Sequence, residues 1–449
     1  MPSQPRVAVI GAGLAGCEAA LVLSRSGVSI DLLEMRPGRM TPAHCTGLPA
    51  ELVCSNSFKS VGLHSAHGVL KAELAILNSP LLDAAKRTAV PAGSALAVDR
   101  LGFSGAVASL LGAEQRIRQV NAEVEAPPAG YDACIIAAGP LVADSLASWL
   151  GSRGHGDSLH FYDAIAPIIA ADSIDRSIAF LASRRETDGS DYLNCPFTEE
   201  EYQAFYAALR EADRTVAHRF ENEQFFEACL PIEVMAGRGE QALAFGPLKP
   251  VGLIDPRNGK RPHAVCQLRT ENEQGTCYNM VGFQTRLTIP GQKSVFRMIP
   301  GLKNAEFLRF GSIHRNTYLD SPELLAPDLS FRDAPTVFLA GQLCGGEGYT
   351  ESIATGHLAA LFALSQISGR QPDPPPRESA LGALLHHVTA SPVKPFTPSN
   401  VHFGLFEPLP DNGKRIRRKA NRMLLCERAM TSVENWSTTL RRPFAGSNF

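Results

Sequence analysis

At 449 residues the chain is too long for a single hydrophobic core, and its 44% hydrophobic and 20% charged content excludes a disordered or fibrous protein. A net charge of -2 gives no global attraction to nucleic acid, so any RNA contact rests on local clusters of Lys and Arg. No apolar run is long enough to span a membrane and the ten cysteines include no C-x-x-C pair, which points to a cytoplasmic protein without a metal site.

In chain order, Arg6 to Ile10 is an apolar run of strand length, followed by the glycine turn Gly11-Ala12-Gly13-Leu14-Ala15-Gly16. A helical pattern from Cys17 to about Ser26 and a second strand from Val28 to Leu33 complete a βαβ unit, the start of an open parallel sheet. Met35 to about Ala66 lacks periodicity and reads as a long loop, residues 68–87 as helix, and Tyr131 to Gly139 as another buried strand. The texture changes near residue 171 to strand-like runs at Ala264 to Leu268 and Tyr278 to Phe283, with a charged helix from Thr198 to Glu211. Thr336 to Ala340 restores the strand-plus-glycine signature, with Gly341, Gly345, Gly346 and Gly348 and a small-residue helix from Glu351 to about Leu364. The expected architecture is α/β: a doubly wound Rossmann-like domain from residues 1–170 and 326–449, with a smaller α/β domain inserted at 171–325. Gln371 to Arg377 is a stiff Pro-rich linker, and the tail carries a basic cluster at Lys414, Arg415, Arg417, Arg418, Lys419 and Arg422, which alone reads as a solvated helix face.

The glycine turn gains specificity from its setting. It follows a strand, opens a helix and precedes Glu34 at the end of the next strand. Gly11 suits the tight turn, Gly13 the approach of a pyrophosphate to the backbone, and Gly16 close helix–strand packing, while Glu34 suits ribose hydroxyls. A second glycine segment at Gly341 to Gly348, returning beside the first, favours FAD over a lone nicotinamide cofactor.

These residues also carry a resemblance. Gly11-Ala-Gly-Leu-Ala-Gly16, Glu34-Met-Arg-Pro37, Met40-Thr-Pro-Ala-His44, Glu51-Leu-Val-Cys-Ser-Asn-Ser57, Ala97-Val-Asp-Arg100, Phe225-Phe-Glu-Ala-Cys-Leu-Pro231, His314-Arg-Asn-Thr-Tyr318 and Gly348-Tyr-Thr-Glu351 resemble the folate- and FAD-dependent tRNA (uracil-5)-methyltransferase family. The resemblance spans nearly the whole chain in order. It departs at Phe58-Lys59, where the family carries Leu-Arg, and in the loop Ser60 to Gly68. The sister GidA-type wobble-uridine enzymes share the glycine turn and a G-Y-x-E string but are longer.

The resemblance implies transfer of a one-carbon unit from 5,10-methylenetetrahydrofolate to C5 of the T-loop uridine, position 54 of tRNA, with FAD and NAD(P)H supplying reducing equivalents. C5 of uracil becomes nucleophilic once a thiolate adds at C6, so two cysteines in distinctive strings, Cys229 and Cys54, are the candidate catalytic residues. Cys229 is assigned to uracil C6 and Cys54 to a second thiol near the flavin, with the reverse assignment open. Gly11, Ala12, Gly13, Leu14, Ala15, Gly16, Glu34, Arg36, Gly341, Gly346, Gly348 and Tyr349 are expected to hold FAD. His314 is expected at the pterin, Arg286 and Arg315 at the folate glutamate or an RNA phosphate, and the basic tail at the T-arm backbone. The alternatives are GidA-like wobble-uridine modification, methylation of rRNA, and a non-catalytic flavin-dependent RNA-binding protein.

Overall fold

The computed structural model describes residues 4–153, 159–184, 191–215, 230–410 and 417–440. Strands Ala334–Leu339, Ala133–Ile136, Arg6–Ile10, Ser29–Glu34 and Ile117–Asn121 lie parallel in that order, and Ser330–Phe331 adds a short antiparallel edge. Val7, Ala8 and Val9 of the inner strand are fully buried, as a parallel strand covered on both faces requires. Helix Leu14–Arg25 leaves the first glycine turn and packs on helix Tyr349–Ile367 from the far end of the chain. Small residues make that contact close: a Cβ on Gly356 would meet the Ala15 carbonyl oxygen at 2.3 Å.

The helix predicted over 68–87 is two helices, Ala66–Ile76 and Pro80–Arg87. Asn78 takes a left-handed φ of 58°, and the Ser79 hydroxyl caps the second helix by accepting from the Leu82 amide, with Pro80 opening it. The long loop after Met35 also contains a strand, Ser57–Ser60, paired antiparallel with Ala95–Val98. Four residues are too few for a legible period, so that strand escapes a sequence reading.

A second core belongs to an antiparallel sheet ordered Phe180–Leu181, Tyr192–Phe197, Ala264–Thr270, Cys277–Met280, Ile168–Ala170 and Phe307–Arg309. Helix Glu199–Glu211 covers it, started by a reciprocal capping box between Thr198 and Glu201. The antiparallel ribbon of 159–165 with 312–318 stands apart from both main sheets. The last helix, Arg418–Leu440, buries Leu425, Ala429, Val433 and Trp436 against the first core at helical spacing. Among the described residues no helix is long and apolar enough to cross a membrane.

Candidate active site

The carboxyl ends of Arg6–Ile10, Ser29–Glu34 and Ala133–Ile136 open into a cleft. Gly11, Gly13, Leu14, Ala15, Glu34 and Arg36 line it from the first βαβ unit, and Gly341 and Tyr349 from the returning segment. This is where an open α/β sheet binds its ligand.

The glycines of the turn divide by cause. Gly11 has φ of 102°, and a Cβ there would meet the Ala137 carbonyl oxygen at 2.5 Å; a Cβ on Gly16 would meet the Gly11 carbonyl oxygen at 1.8 Å. Packing alone dictates both. At Gly13 the φ is -75° and the nearest heavy atom to a Cβ, the Ala137 oxygen, lies 4.0 Å away. No protein neighbour forbids a side chain at 13. The space it would fill is the cleft at the N-terminus of helix Leu14–Arg25, an end of the helix whose amide donors and dipole favour an anion.

The Glu34 carboxylate is held in a fixed position at the cleft. Its Oε2 accepts from the Ala12 amide at 2.8 Å, and its Oε1 from the Arg36 amide and Nε, each at 3.0 Å. Burial works to raise the Glu34 pKa, but the Arg36 guanidinium and these amides outweigh it and hold the carboxyl below its ordinary range. Arg36, 4% exposed, also donates to the Leu48 carbonyl at 3.2 Å and meets Glu51 at 3.5 Å. Glu51 in turn accepts from the Cys45 amide at 2.7 Å and the Thr46 hydroxyl at 2.7 Å. The aperiodic loop is thus tied down by an Arg–Glu pair. His44, also lining the cleft, is driven down to about 4 by burial first and then by Arg36, and so stays neutral.

Cys54, half-buried, follows Val53, which lines the cleft. Its amide and that of Ser55 donate to the Tyr349 hydroxyl oxygen at 2.9 and 3.1 Å, and the hydroxyl donates to the Ser55 carbonyl at 2.9 Å. Phe58 packs 5.5 Å from the Tyr349 ring, so its aromatic side chain belongs to the support of this turn. Arg100, from the Val-Asp-Arg string, donates to the Leu52 carbonyl and, at 2.9 Å, from Nε to Glu271 of the second sheet. Burial opposes the Arg100 charge, but Glu271 above all, then Tyr349 and Cys54, raise its pKa on balance.

The remaining expected site residues scatter. Gly346 bridges Ser399, and a Cβ on Gly348 would meet Glu351 at 2.5 Å, so both shape the turn that presents Tyr349. Ala12 and Gly16 lie in the turn and the helix packing. Arg286 accompanies Glu233, its Nε 3.9 Å from the carboxylate. The backbones of His314 and Arg315 pair with Asp163 and Tyr162, and their side chains, like Cys229, lie outside the described residues. Lys414 and Arg415 of the basic tail lie outside them as well. Arg422 stands 5.5 Å over the Phe403 ring, and Arg428 binds the Glu407 and Pro408 carbonyls. Sequence reasoning did not assign Glu51, His44, Arg100 or Glu271 to the site: the Arg100–Glu271 pair joins residues 171 apart, while Glu51 and His44 lie in a loop without periodicity. The strings Ala97-Val-Asp-Arg100 and Glu51-Leu-Val-Cys-Ser-Asn-Ser57 were the available signal for Arg100 and Glu51.

A parallel sheet with a glycine turn, an acid ending its second strand and a second glycine segment folded back beside the first defines an FAD-binding flavoprotein of Rossmann type. The family described as Glucose inhibited division protein A matches residues 6–371. The structure of Aquifex aeolicus GidA superposes with a TM-score of 0.69 at 16% identity, covering 97% of this chain and 73% of that one. The enzymes named Methylenetetrahydrofolate--tRNA-(uracil-5-)-methyltransferase TrmFO are nearer in sequence. That of Anaeromyxobacter dehalogenans is 53% identical over 438 residues, covering 96% of each chain. That of Pelobacter propionicus is 51% identical over 438 residues, covering 97% of this chain and 95% of its own. The chain belongs to the TrmFO family.

Proposed function

We propose that this protein methylates C5 of the T-arm uridine at position 54 of tRNA, taking the carbon from 5,10-methylenetetrahydrofolate and reducing equivalents from NAD(P)H. The observation that carries the reading is full-length kinship with TrmFO enzymes combined with a half-buried cysteine held beside the cofactor cleft. Bound FAD supplies the redox and one-carbon chemistry. Gly13, the helix N-terminus and Glu34 are the residues that would hold its ADP half, and Tyr349 and Gly341 line the same cleft from the returning segment.

The chain's own chemistry is nucleophilic. The Cys229 thiolate adds to C6, forming an S–C6 bond and moving the ring electrons onto C5 and O4; C5 then attacks the one-carbon unit. Loss of the C5 proton expels the thiolate and restores the ring. Cys54, held by Tyr349, is the second thiol, positioned to move a proton. His314, Arg286 and Arg315 are assigned to folate or RNA, and the tail near Arg417 and Lys419 to RNA phosphates.

5-Fluorouridine in a T-arm RNA tests this, because fluorine at C5 cannot leave as a proton does and the cysteine adduct persists. Wild type is expected to form an RNA adduct that survives denaturation, mapping to Cys229 by mass and absent from Cys229→Ala. An adduct lost only in Cys54→Ala reverses the two roles. Loss of 5-methyluridine from rRNA, with that of tRNA retained, in a deletion strain overturns the target.

A further inference from the structure

Two cavities outside the flavin cleft share a floor. Ser60, the last residue of the strand that leaves the Cys54 turn, and Ser94 line both of them. The Val61 amide donates to the Ser94 carbonyl at 3.0 Å and Ser60 pairs with Ala95, so the floor is the strand pair Ser57–Ser60 with Ala95–Val98. The first cavity, about 530 Å³, reaches the second sheet and takes Arg184, Tyr192, Lys249 and Gln267 into its wall. The second, about 720 Å³, is walled by His64 and His67 of the loop Ser60 to Gly68, by His402 and Phe403, and by Arg422 of the last helix. Each is roomy enough for a nucleotide. Together they make one groove from the second core to helix Arg418–Leu440.

The lining has one sign. Among the described residues no carboxylate lines either cavity, whereas both carry Lys, Arg or His side chains. Two acids that adjoin the walls are engaged elsewhere: Asp191 accepts from the Gly93 amide at 2.7 Å, and Glu351, 1% exposed, accepts from the Val401 amide at 3.0 Å behind His67. Arg184 decides the chemistry. It is half-buried, its Nη2 donates to the Pro247 carbonyl at 3.1 Å, and among the described residues it has no carboxylate partner. A Cβ on Gly252 would meet the Arg184 carbonyl oxygen at 2.1 Å, so the turn from Lys249 to Gly252 closes directly on Arg184 and brings a second cation to the same wall. Burial presses the Arg184 pKa down, and the groups opposing this are a phenol and a thiol, Tyr192 and Cys266, rather than an acid. A guanidinium stays charged in proteins, so one desolvated without a counter-ion calls for an anion from outside.

A single small anion would satisfy one end only. The cations recur along the groove, from Arg184 and Lys249 to Arg422, and Lys419 stands exposed one turn before Arg422 on the same helix. Aromatic rings alternate with them. Tyr192 lines the first cavity and Phe403 the second, where Arg422 stands 5.5 Å over the Phe403 ring. Repeated cations with interleaved rings suit a nucleic-acid strand, whose phosphates meet the first and whose unpaired bases stack on the second. Resting on RNA as the substrate, we propose that this groove holds the phosphate backbone flanking the modified uridine, with Arg184 and Lys249 at one end and Arg422 at the other. His64 and His67 of the track belong to the loop in which this chain departs from the family pattern.

The test is the salt dependence of binding. Flavin-loaded protein is titrated against a fluorescent T-arm RNA between about 50 and 200 mM salt, and the slope of log affinity against log salt is read by anisotropy. Lys249→Ala and Arg422→Ala are each expected to weaken binding about tenfold at the lower salt and to reduce the slope by about 1. The double variant is expected to reduce it by about 2, because the two sites lie at opposite ends. Charge-preserving Lys249→Arg and Arg422→Lys are expected to keep the wild-type slope, which purely structural damage would not restore. Arg184 is left intact, since its Nη2 also holds the Pro247 carbonyl. Lys86→Ala, at an exposed position lining neither cavity, is expected to bind as wild type does. Slopes unmoved in both groove variants, or lowered equally by Lys86→Ala, overturn the groove alone. So does an effect confined to the KM of polyglutamylated methylenetetrahydrofolate, which makes the occupant a carboxylate tail. A wild type that binds an rRNA hairpin in place of the T-arm overturns the target, and the slopes measured on that hairpin then decide the groove. A wild type that binds neither RNA overturns RNA as the substrate and this proposal together.

Discussion

Gly13 and Gly16 stand three residues apart in one turn, yet they answer to different constraints. A Cβ at position 13 comes no nearer than 4.0 Å to a heavy atom beyond its own chain neighbours, so Gly13→Val is expected to melt within a few degrees of wild type but to purify colourless, because its branches fill the pyrophosphate's approach. Gly16→Ala brings a methyl against the Gly11 carbonyl, and is expected to lower stability by about 1–3 kcal/mol in denaturant titrations. If Gly13→Val retains flavin at full occupancy, the turn serves only the fold. At the thiol end, Tyr349→Phe removes one acceptor and one donor from the backbone at Cys54 and Ser55. The expected loss is about 1–3 kcal/mol, accompanied by a fall in kcat, since the thiol's carrier segment is no longer pinned. Equal kcat in the two proteins would sever Tyr349 from the chemistry.

One of the helices that frame the sheet contributes to the acid sensitivity. His387, on helix Ala380–Ala390, is buried against the Phe396 ring at 5.2 Å, with Nε2 3.2 Å from the Thr397 carbonyl. Burial drives its pKa down to about 4, as it does for His44. An unfolded histidine titrates near 6.5, so between pH 6.5 and 4 the unfolded chain binds more protons, and stability falls as pH drops through that window. Urea midpoints at pH 7 and pH 5 are expected to differ less in His387→Asn than in wild type, by on the order of 1 kcal/mol. An unchanged difference would remove His387 from the acid response. The same elements show where sequence reading runs out. Helix Tyr349–Ile367 and strand Arg6–Ile10 were legible because one continuous apolar or small-residue pattern sets each of them. The break at Asn78 between two helices was legible too, since Ser79-Pro80 is a cap followed by a proline that a helix interior does not tolerate, but the apolar pattern on both sides masked it. The glycine turn and Glu34 were legible as a site because their spacing is local, whereas the Arg100–Glu271 pair joins positions 171 residues apart.

At the scale of the whole molecule, two cores meet around the Cys54 segment. Asn56 is the joint between them: its amide donates to the Val98 and Thr270 carbonyls, each at 2.9 Å, while its oxygen receives Arg269. Asn56→Ala leaves Arg269, 6% exposed, without that acceptor, and is expected to cost about 3 kcal/mol or more. A melt no lower than wild type would show that the two cores do not depend on this joint.

The return of strand Ala334–Leu339 to the first sheet, beside Ala133–Ile136, also has a consequence for biosynthesis. A ribosome delivers the glycine turn first, but Gly341 and Tyr349 of the same cleft only after some 330 further residues, at roughly 5–20 residues per second. During that interval the first helix lacks its packing partner while the second core, assembled from positions 168–309, already has every strand it needs. The nascent chain therefore matures from its middle outward, and capture of the flavin is a late event that reports completion of the polypeptide.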